Sequence, residues 1–238
     1  ALTAMSYAAR TIVPSEPTLD SDGCYAISTA EQLYGYAKIV NESEVKTECG
    51  KLTKDIVVNE KNVKDTAFWT PIESFHGTFD GQNHTISGLI CTDTSAYNVG
   101  MFGYVGAEIR ERLSGEPWEV LKKAVVKNLG LINVSFVGKS AVGGIAGGAW
   151  GAVITNCYVD GAVYSNLYTG GLVYTGGLVG NSGPLEITNS RNLAYVGGYY
   201  AGGLVGNYDG DAASDVILAD RKTSKLYFYT SKYKGDYF

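Results

Sequence analysis

The apolar positions of the chain change rhythm along its length. Near the start they are helical: Leu33, Tyr36, Ala37 and Val40 fall on one face, at the spacing of an amphipathic helix. Ser28-Thr29-Ala30-Glu31 precedes them and fits a capping box, in which the hydroxyl and the carboxylate satisfy backbone donors at a helix start. The pattern predicts a helix over about residues 29–41, with short strands at Cys24–Ile27 before it and Lys51–Val58 after it. From 75 to 105 the apolar runs shorten and alternate with Gly, Asn and Asp, as in Gly77–Gly81, His84–Ile90 and Val99–Gly103. These read as brief strands joined by turns, with Asp80-Gly81 and Gln82-Asn83 as turn chemistry. Residues 107–124 interrupt with charge, and Pro117 suits the first turn of a helix over 117–124.

From residue 124 the pattern repeats. Val126-Lys127-Asn128, Ile154-Thr155-Asn156 and Ile187-Thr188-Asn189 share the form apolar-x-Asn, spaced by 28 and 33 residues. Each is followed by a glycine box, at Gly143–Gly147, Gly176–Gly180 and Gly202–Gly206, spaced by 33 and 26. A hexapeptide is doubled at 168–173 and 174–179. Periods of this size built from short β units indicate a stacked array. A propeller blade needs four strands in about 40 residues, so a solenoid fits better. Such a stack turns alternating apolar residues inward, and Leu178-Val179 and Leu204-Val205 have the composition for part of it; paired glycines let the chain bend tightly and neighbouring passages approach. Asn at a recurrent turn tolerates left-handed geometry and bonds its neighbours above and below.

Composition narrows the class. Of 31 Gly, 27 lie between Gly77 and Gly210, while the 84 residues from Ala124 to Asn207 carry five formal charges. The chain is 45% hydrophobic with a net charge of −5, which excludes collagen and intrinsic disorder. The apolar runs are too short for a membrane-spanning helix, and the acidic balance argues against a nucleic-acid partner. Cys24, Cys49, Cys91 and Cys157 lack metal-ligand spacing, and the only histidines are His76 and His84, so neither a metal nor another cofactor is expected. Cys24 and Cys49 bracket one compact segment and suit a disulfide in an exported chain; four buried thiols is the alternative.

The boxes Gly176-Gly177-Leu178-Val179-Gly180 and Gly202-Gly203-Leu204-Val205-Gly206, with the weaker Gly143-Gly144-Ile145-Ala146-Gly147, resemble the GLUG repeat of bacterial surface proteins. The upstream string from Phe79-Asp80-Gly81 to His84-Thr85-Ile86-Ser87-Gly88-Leu89 is similar to the region that precedes such repeats, and the likeness spans roughly residues 23–207. The resemblance implies an all-β fold, a right-handed parallel β-helix, exported to the surface of a Gram-negative bacterium, with no catalytic residues. On this reading residues 1–70 form an N-terminal α/β cap with one helix. Residues 71–210 form the β-solenoid, with a helical loop inserted at 107–124, and 211–238 a Tyr-rich C-terminal segment. The module is expected to belong to a larger chain.

Twelve of the 18 Tyr follow residue 157. Flat aromatic faces bind sugar rings through apolar contact and add a polar handle. Tyr168, Tyr174, Tyr199 and Tyr200, with Trp150 beside them, are therefore the expected platform for an insoluble polysaccharide or another cell-surface ligand. The alternative is an enzyme acting on carbohydrate, a hydrolase or lyase. Its carboxylates would be Asp160 and Glu186 stacked on one face, or the group Glu73, His76, Asp80 and His84. A structural spacer is the third reading.

Overall fold

The structure, a computed structural model, describes residues 8–61, 65–110, 119–165, 174–183, 185–198, 200–208, 216–220 and 225–229. Successive passages of the chain each place short strands in the same four sheets. One passage runs through Thr78–Asp80, Thr85–Ser87, Ile90–Cys91, Tyr97–Val99 and Phe102–Gly106; the next through Ala124–Lys127, Gly130–Gly138, Ser140–Gly143 and Ala146–Trp150. Ala152–Thr155, Tyr158–Ser165, Tyr174–Gly176 and Val179–Ser182 follow. Leu185–Thr188, Arg191–Asn192, Tyr195–Gly197, Tyr200–Gly202 and Val205–Tyr208 make the last such passage. Every pairing between these passages is parallel. Before residue 71, Gly50–Leu52 and Ile56–Val57 extend the first and second sheets, and Tyr25–Ile27 adds another strand to the first. Antiparallel strands lie at both ends of the first sheet: Thr18–Leu19 on Tyr25–Ile27, and Lys225–Tyr229 meeting Leu185–Thr188.

Register stacks like on like. Phe79, Val126, Ile154 and Ile187 align along the first sheet, and Ile56, Ile86, Leu131 and Val159 along the second. All of these are at most 2% exposed. Phe102, Ala146, Val179 and Val205 align along the fourth. Alternate residues point inward, so one continuous apolar column runs through the stack.

The glycine boxes form the corner between the third and fourth sheets. A Cβ on Gly143, Gly176 or Gly202 would lie 2.0, 1.9 or 1.8 Å from the carbonyl oxygen of Ala146, Val179 or Val205. The second glycine serves stacking: a Cβ on Gly144 would lie 2.6 Å from Gly177 O, and one on Gly177 2.3 Å from Gly203 O. Tight bending and close approach thus fall on separate positions of the motif.

The helix spans Ala30–Glu42 and buries Leu33, Tyr36, Ala37 and Val40. Its cap sits one residue later than the expected box: Thr29 Oγ1 accepts from Gln32 N–H, and Gln32 Oε1 accepts from the Ser28 N–H and hydroxyl. Cys24 and Cys49 form a disulfide, while Cys91 and Cys157 are buried free thiols. The helix expected over 117–124 is corrected. Residues 111–118 lie outside the described set, but Glu119–Lys122 is a strand antiparallel to Glu108–Arg110, and Ala124–Lys127 belongs to the first sheet. Val120, Val125 and Val126 are β-branched and suit strand pairing better than a short helix.

A candidate ligand cleft

Residues 68–73 and 91–99 enclose a cleft of about 600 Å³, within the range of small-ligand sites. Its near wall is set by Trp69, 2% exposed. The indole N–H donates to Met101 O at 3.0 Å, and the ring meets Tyr34 edge-on at 5.2 Å. With Trp69 held inward, its neighbour Phe68 turns out and is 47% exposed. The helix secures this wall through Asn41, whose side chain accepts from Glu73 N–H at 2.8 Å and donates to Pro71 O at 3.3 Å. Asp93 begins the opposite wall. Its carboxylate accepts from the Ser95 N–H at 2.8 Å and the Ser95 hydroxyl at 2.6 Å, making an Asx turn. The chain leaves that turn with Tyr97 61% exposed and the Lys139 ammonium 4.7 Å from its ring centre. Val99 is buried and Cys91 nearly so; both line the cleft.

The bonds from Ser95 hold the Asp93 carboxyl below its ordinary range, so it is an anion at neutral pH. Burial pushes the Cys91 thiol up, which keeps it a neutral apolar surface. The cleft therefore offers two exposed aromatic side chains, Phe68 and Tyr97, with the Glu73 and Asp93 carboxylates and the Asn98 amide among its lining. Such a set packs the apolar face of a ring-shaped ligand and accepts hydrogen bonds from its hydroxyls.

The residues singled out from the sequence are dispersed. Of the group Glu73, His76, Asp80 and His84, Glu73 alone lines the cleft. Asp80 is committed to a turn, accepting from the Gln82 N–H, the Gln82 amide and the Asn128 amide, with Lys127 at 3.2 Å. His84 contacts Asp55 at 3.3 Å. His76 is bonded to Ser74 and Gly106. Asp160 and Glu186 do not stack as expected: Asp160 belongs to the second sheet, whereas Glu186 lies in the first, opposite Val153, with Lys123 at 3.6 Å. One carboxylate per passage does not put the two on one face, because a corner separates the two sheets.

Tyr168 and Tyr199 lie outside the described residues, as do the side chains of Tyr174 and Tyr200. The backbones of Tyr174 and Tyr200 are direct partners in the third sheet. Trp150 is half-buried and occupies the space above Gly183, where a Cβ would lie 2.3 Å from its Cδ1. Sequence reasoning missed Phe68, Asp93 and Tyr97. Asp93-x-Ser95 is an Asx-turn signal, and an aromatic just beyond it was the available clue.

The chain carries the GLUG motif over residues 138–164. It is 31% identical over 147 residues to halomucin of Haloquadratum walsbyi, covering 58% of this chain and 1% of that protein. A crystal structure from Bacteroides ovatus, described as a candidate immunoglobulin A1 protease, superposes with a TM-score of 0.54 at 18% identity, covering 83% of this chain and 66% of that one. Together these matches bear out the resemblance to GLUG-repeat surface proteins. At 18% identity the structural likeness concerns the fold alone. Among the described residues no helix is long and apolar enough to cross a membrane.

Proposed function

We propose that the chain is a right-handed parallel β-solenoid module of an exported surface protein, and that it binds carbohydrate in the cleft between Phe68 and Tyr97. The motif match and the halomucin similarity support the surface role, and the recurrence of four parallel sheets supports the solenoid. The observation that carries the binding role is the cleft itself. Two large aromatic side chains, 47% and 61% exposed, rim a cavity that also holds Glu73, Asp93 and Asn98. The walls are fixed by Trp69, Asn41 and the Asp93 turn before any ligand arrives, so little ordering cost falls on binding.

The test is retention on a panel of insoluble cellulose, xylan and chitin together with titration of soluble oligosaccharides. Binding of one glycan class is expected, weakened about 5- to 30-fold by Tyr97→Ala and by Phe68→Ala, since each removes a stacked ring worth roughly 1–2 kcal/mol. Retention on none of these glycans, or full retention by both variants, would show the reading to be wrong.

A further inference from the structure

A second arrangement lies beside the cleft. Ile72 and Phe75 are fully buried and bridge to Phe102 and Val105 in the fourth sheet. Ser74 and His76, on either side of Phe75, are half-buried on the opposite side of that segment. His76 Nδ1 lies 3.0 Å from Gly106 O, and Nε2 lies 3.1 Å from Ser74 Oγ. A carbonyl oxygen can only accept, so Nδ1 carries the proton. Nε2 is then a lone pair, and the Ser74 hydroxyl donates to it. Residue 106 is glycine because of Tyr104, into whose ring a Cβ there would press. The orienting carbonyl shares its peptide with the Ala107 N–H, which donates to Trp150 O at 2.9 Å, and the Gly106 N–H donates to Phe75 O at 2.9 Å, so the backbone on both sides of Gly106 is fixed. The order is hydroxyl, base, orienter, the geometry that activates a serine.

We propose that Ser74 is a nucleophile, with His76 as its general base, for hydrolysis of O-acyl esters. Ser74 Oγ bonds to the acyl carbon as its proton passes to His76 Nε2. The adduct collapses, the bond from the acyl carbon to the alcohol oxygen breaks, and the departing alcohol takes the proton from Nε2. Water then attacks the acyl-serine, gives a proton to Nε2, and releases the carboxylic acid as Ser74 regains its proton. Ester and water become acid and alcohol, with no change in oxidation state. The orienter is a neutral carbonyl and not a carboxylate, so the imidazolium formed during attack is stabilised less. That favours esters, with their better leaving group, over amides. Ser74 and His76 are not among the cleft lining, but Glu73, the residue next to Ser74, is; the substrate class assigned to the pair is an O-acyl group on a carbohydrate hydroxyl, an assignment that rests on the carbohydrate reading of the cleft, whereas the esterase chemistry does not.

The experiment treats the full chain with a fluorophosphonate probe and locates the adduct by peptide mass, and follows p-nitrophenyl acetate hydrolysis alongside. One adduct per chain is expected on Ser74, absent in Ser74→Ala. His76→Gln is expected to slow both reactions about 10²-fold or more, the usual share of a general base. Both variants should keep the wild-type glycan retention, which separates loss of chemistry from loss of fold or of the cleft. A wild-type chain with no adduct on Ser74, or hydrolysis that persists in Ser74→Ala, would overturn the proposal. Cleavage of the small ester without acetate release from O-acetylated xylan would overturn its carbohydrate component.

Discussion

The ring of Tyr158 rests on Gly130 of the preceding passage, its direct partner in the second sheet. A Cβ at residue 130 would lie 2.5 Å from Tyr158 Cζ, and the opposite face of the ring is met by the Arg191 guanidinium at 4.9 Å. Tyr164 lies likewise against its partner Gly197, and Tyr104 against Gly148. Glycine leaves a shallow seat on the outer face of a strand, and a tyrosine on the adjoining strand fills it. At these positions the excess of Gly and the excess of Tyr have a common cause.

This seat sets the first prediction. Gly130→Ala should destabilise the chain by roughly 1–3 kcal/mol, because the ring must lift from its place. Tyr158→Ala should cost less in the Gly130→Ala background than in the wild type. Denaturant titration of the two single variants and the double variant gives the coupling; additive costs would show that the ring does not depend on the seat.

The recurrent Asn residues make a second testable column. Asn83, Asn128, Asn156 and Asn189 have φ of 64°, 53°, 52° and 49°, the left-handed region that Asn enters at less cost than most residues. The Asn156 amide donates to Asn128 Oδ1 at 2.8 Å and to Asn83 Oδ1 at 3.1 Å, and the Asn128 amide to Asp80 at 2.9 Å. Asn128→Gly keeps the backbone and loses the bonds, about 1–2 kcal/mol. Asn128→Ala loses both and should cost about 1 kcal/mol more. Equal thermal midpoints for the two variants would count against the backbone contribution.

The repeat was legible in the sequence because it is local chemistry. An apolar-x-Asn turn and a Gly-Gly corner each impose a backbone requirement that few residues meet, so their recurrence exposes the stacking. The helix was legible for the same reason, from Leu33 to Val40. The cleft was not, because its walls are distant in sequence: Asn41 on the helix clips residues 71 and 73, and Trp69 reaches Met101. Nor could spacing place Asp160 and Glu186, since a corner between sheets moves them to different faces. The Ser74–His76 pair needs Gly106, 30 residues on, to orient it.

The thiols yield a third prediction. Burial pushes the Cys157 thiol up to about 12, and its Sγ donates to Thr155 O at 3.3 Å. Cys91 is 6% exposed and also raised by burial. Only the thiolate reacts readily with disulfide reagents. At pH 8 the native chain should therefore leave both unmodified over the time in which a free thiol is consumed. Two should titrate in denaturant without reductant, and all four after reduction. Fast modification of Cys157 in the native state would contradict its placement.

Acid should weaken the fold partly through Asp80, which is 6% exposed. Burial raises its pKa, but bonds from the Asn128 amide and the Gln82 N–H, with Lys127 at 3.2 Å, outweigh burial and leave it below its ordinary value. The unfolded chain therefore takes up this proton at a higher pH than the folded chain. The carboxylate contributes its full stabilisation above the unfolded value of about 4 and loses it as pH falls through the folded one. Asp20, Asp55 and Asp93 are lowered as well, so the slope of stability against pH is shared, and only a variant isolates the contribution of a single carboxylate. Asp80→Asn should be less stable at pH 7 by about 1.5–3 kcal/mol, through loss of charge-assisted bonds. Its denaturation midpoint should then fall less steeply than that of the wild type between about pH 5 and pH 2. Parallel curves for the two proteins over that interval would mean that Asp80 keeps its ordinary affinity for protons in the folded chain, and that the bonds around it hold the Asn column in place without shifting its titration.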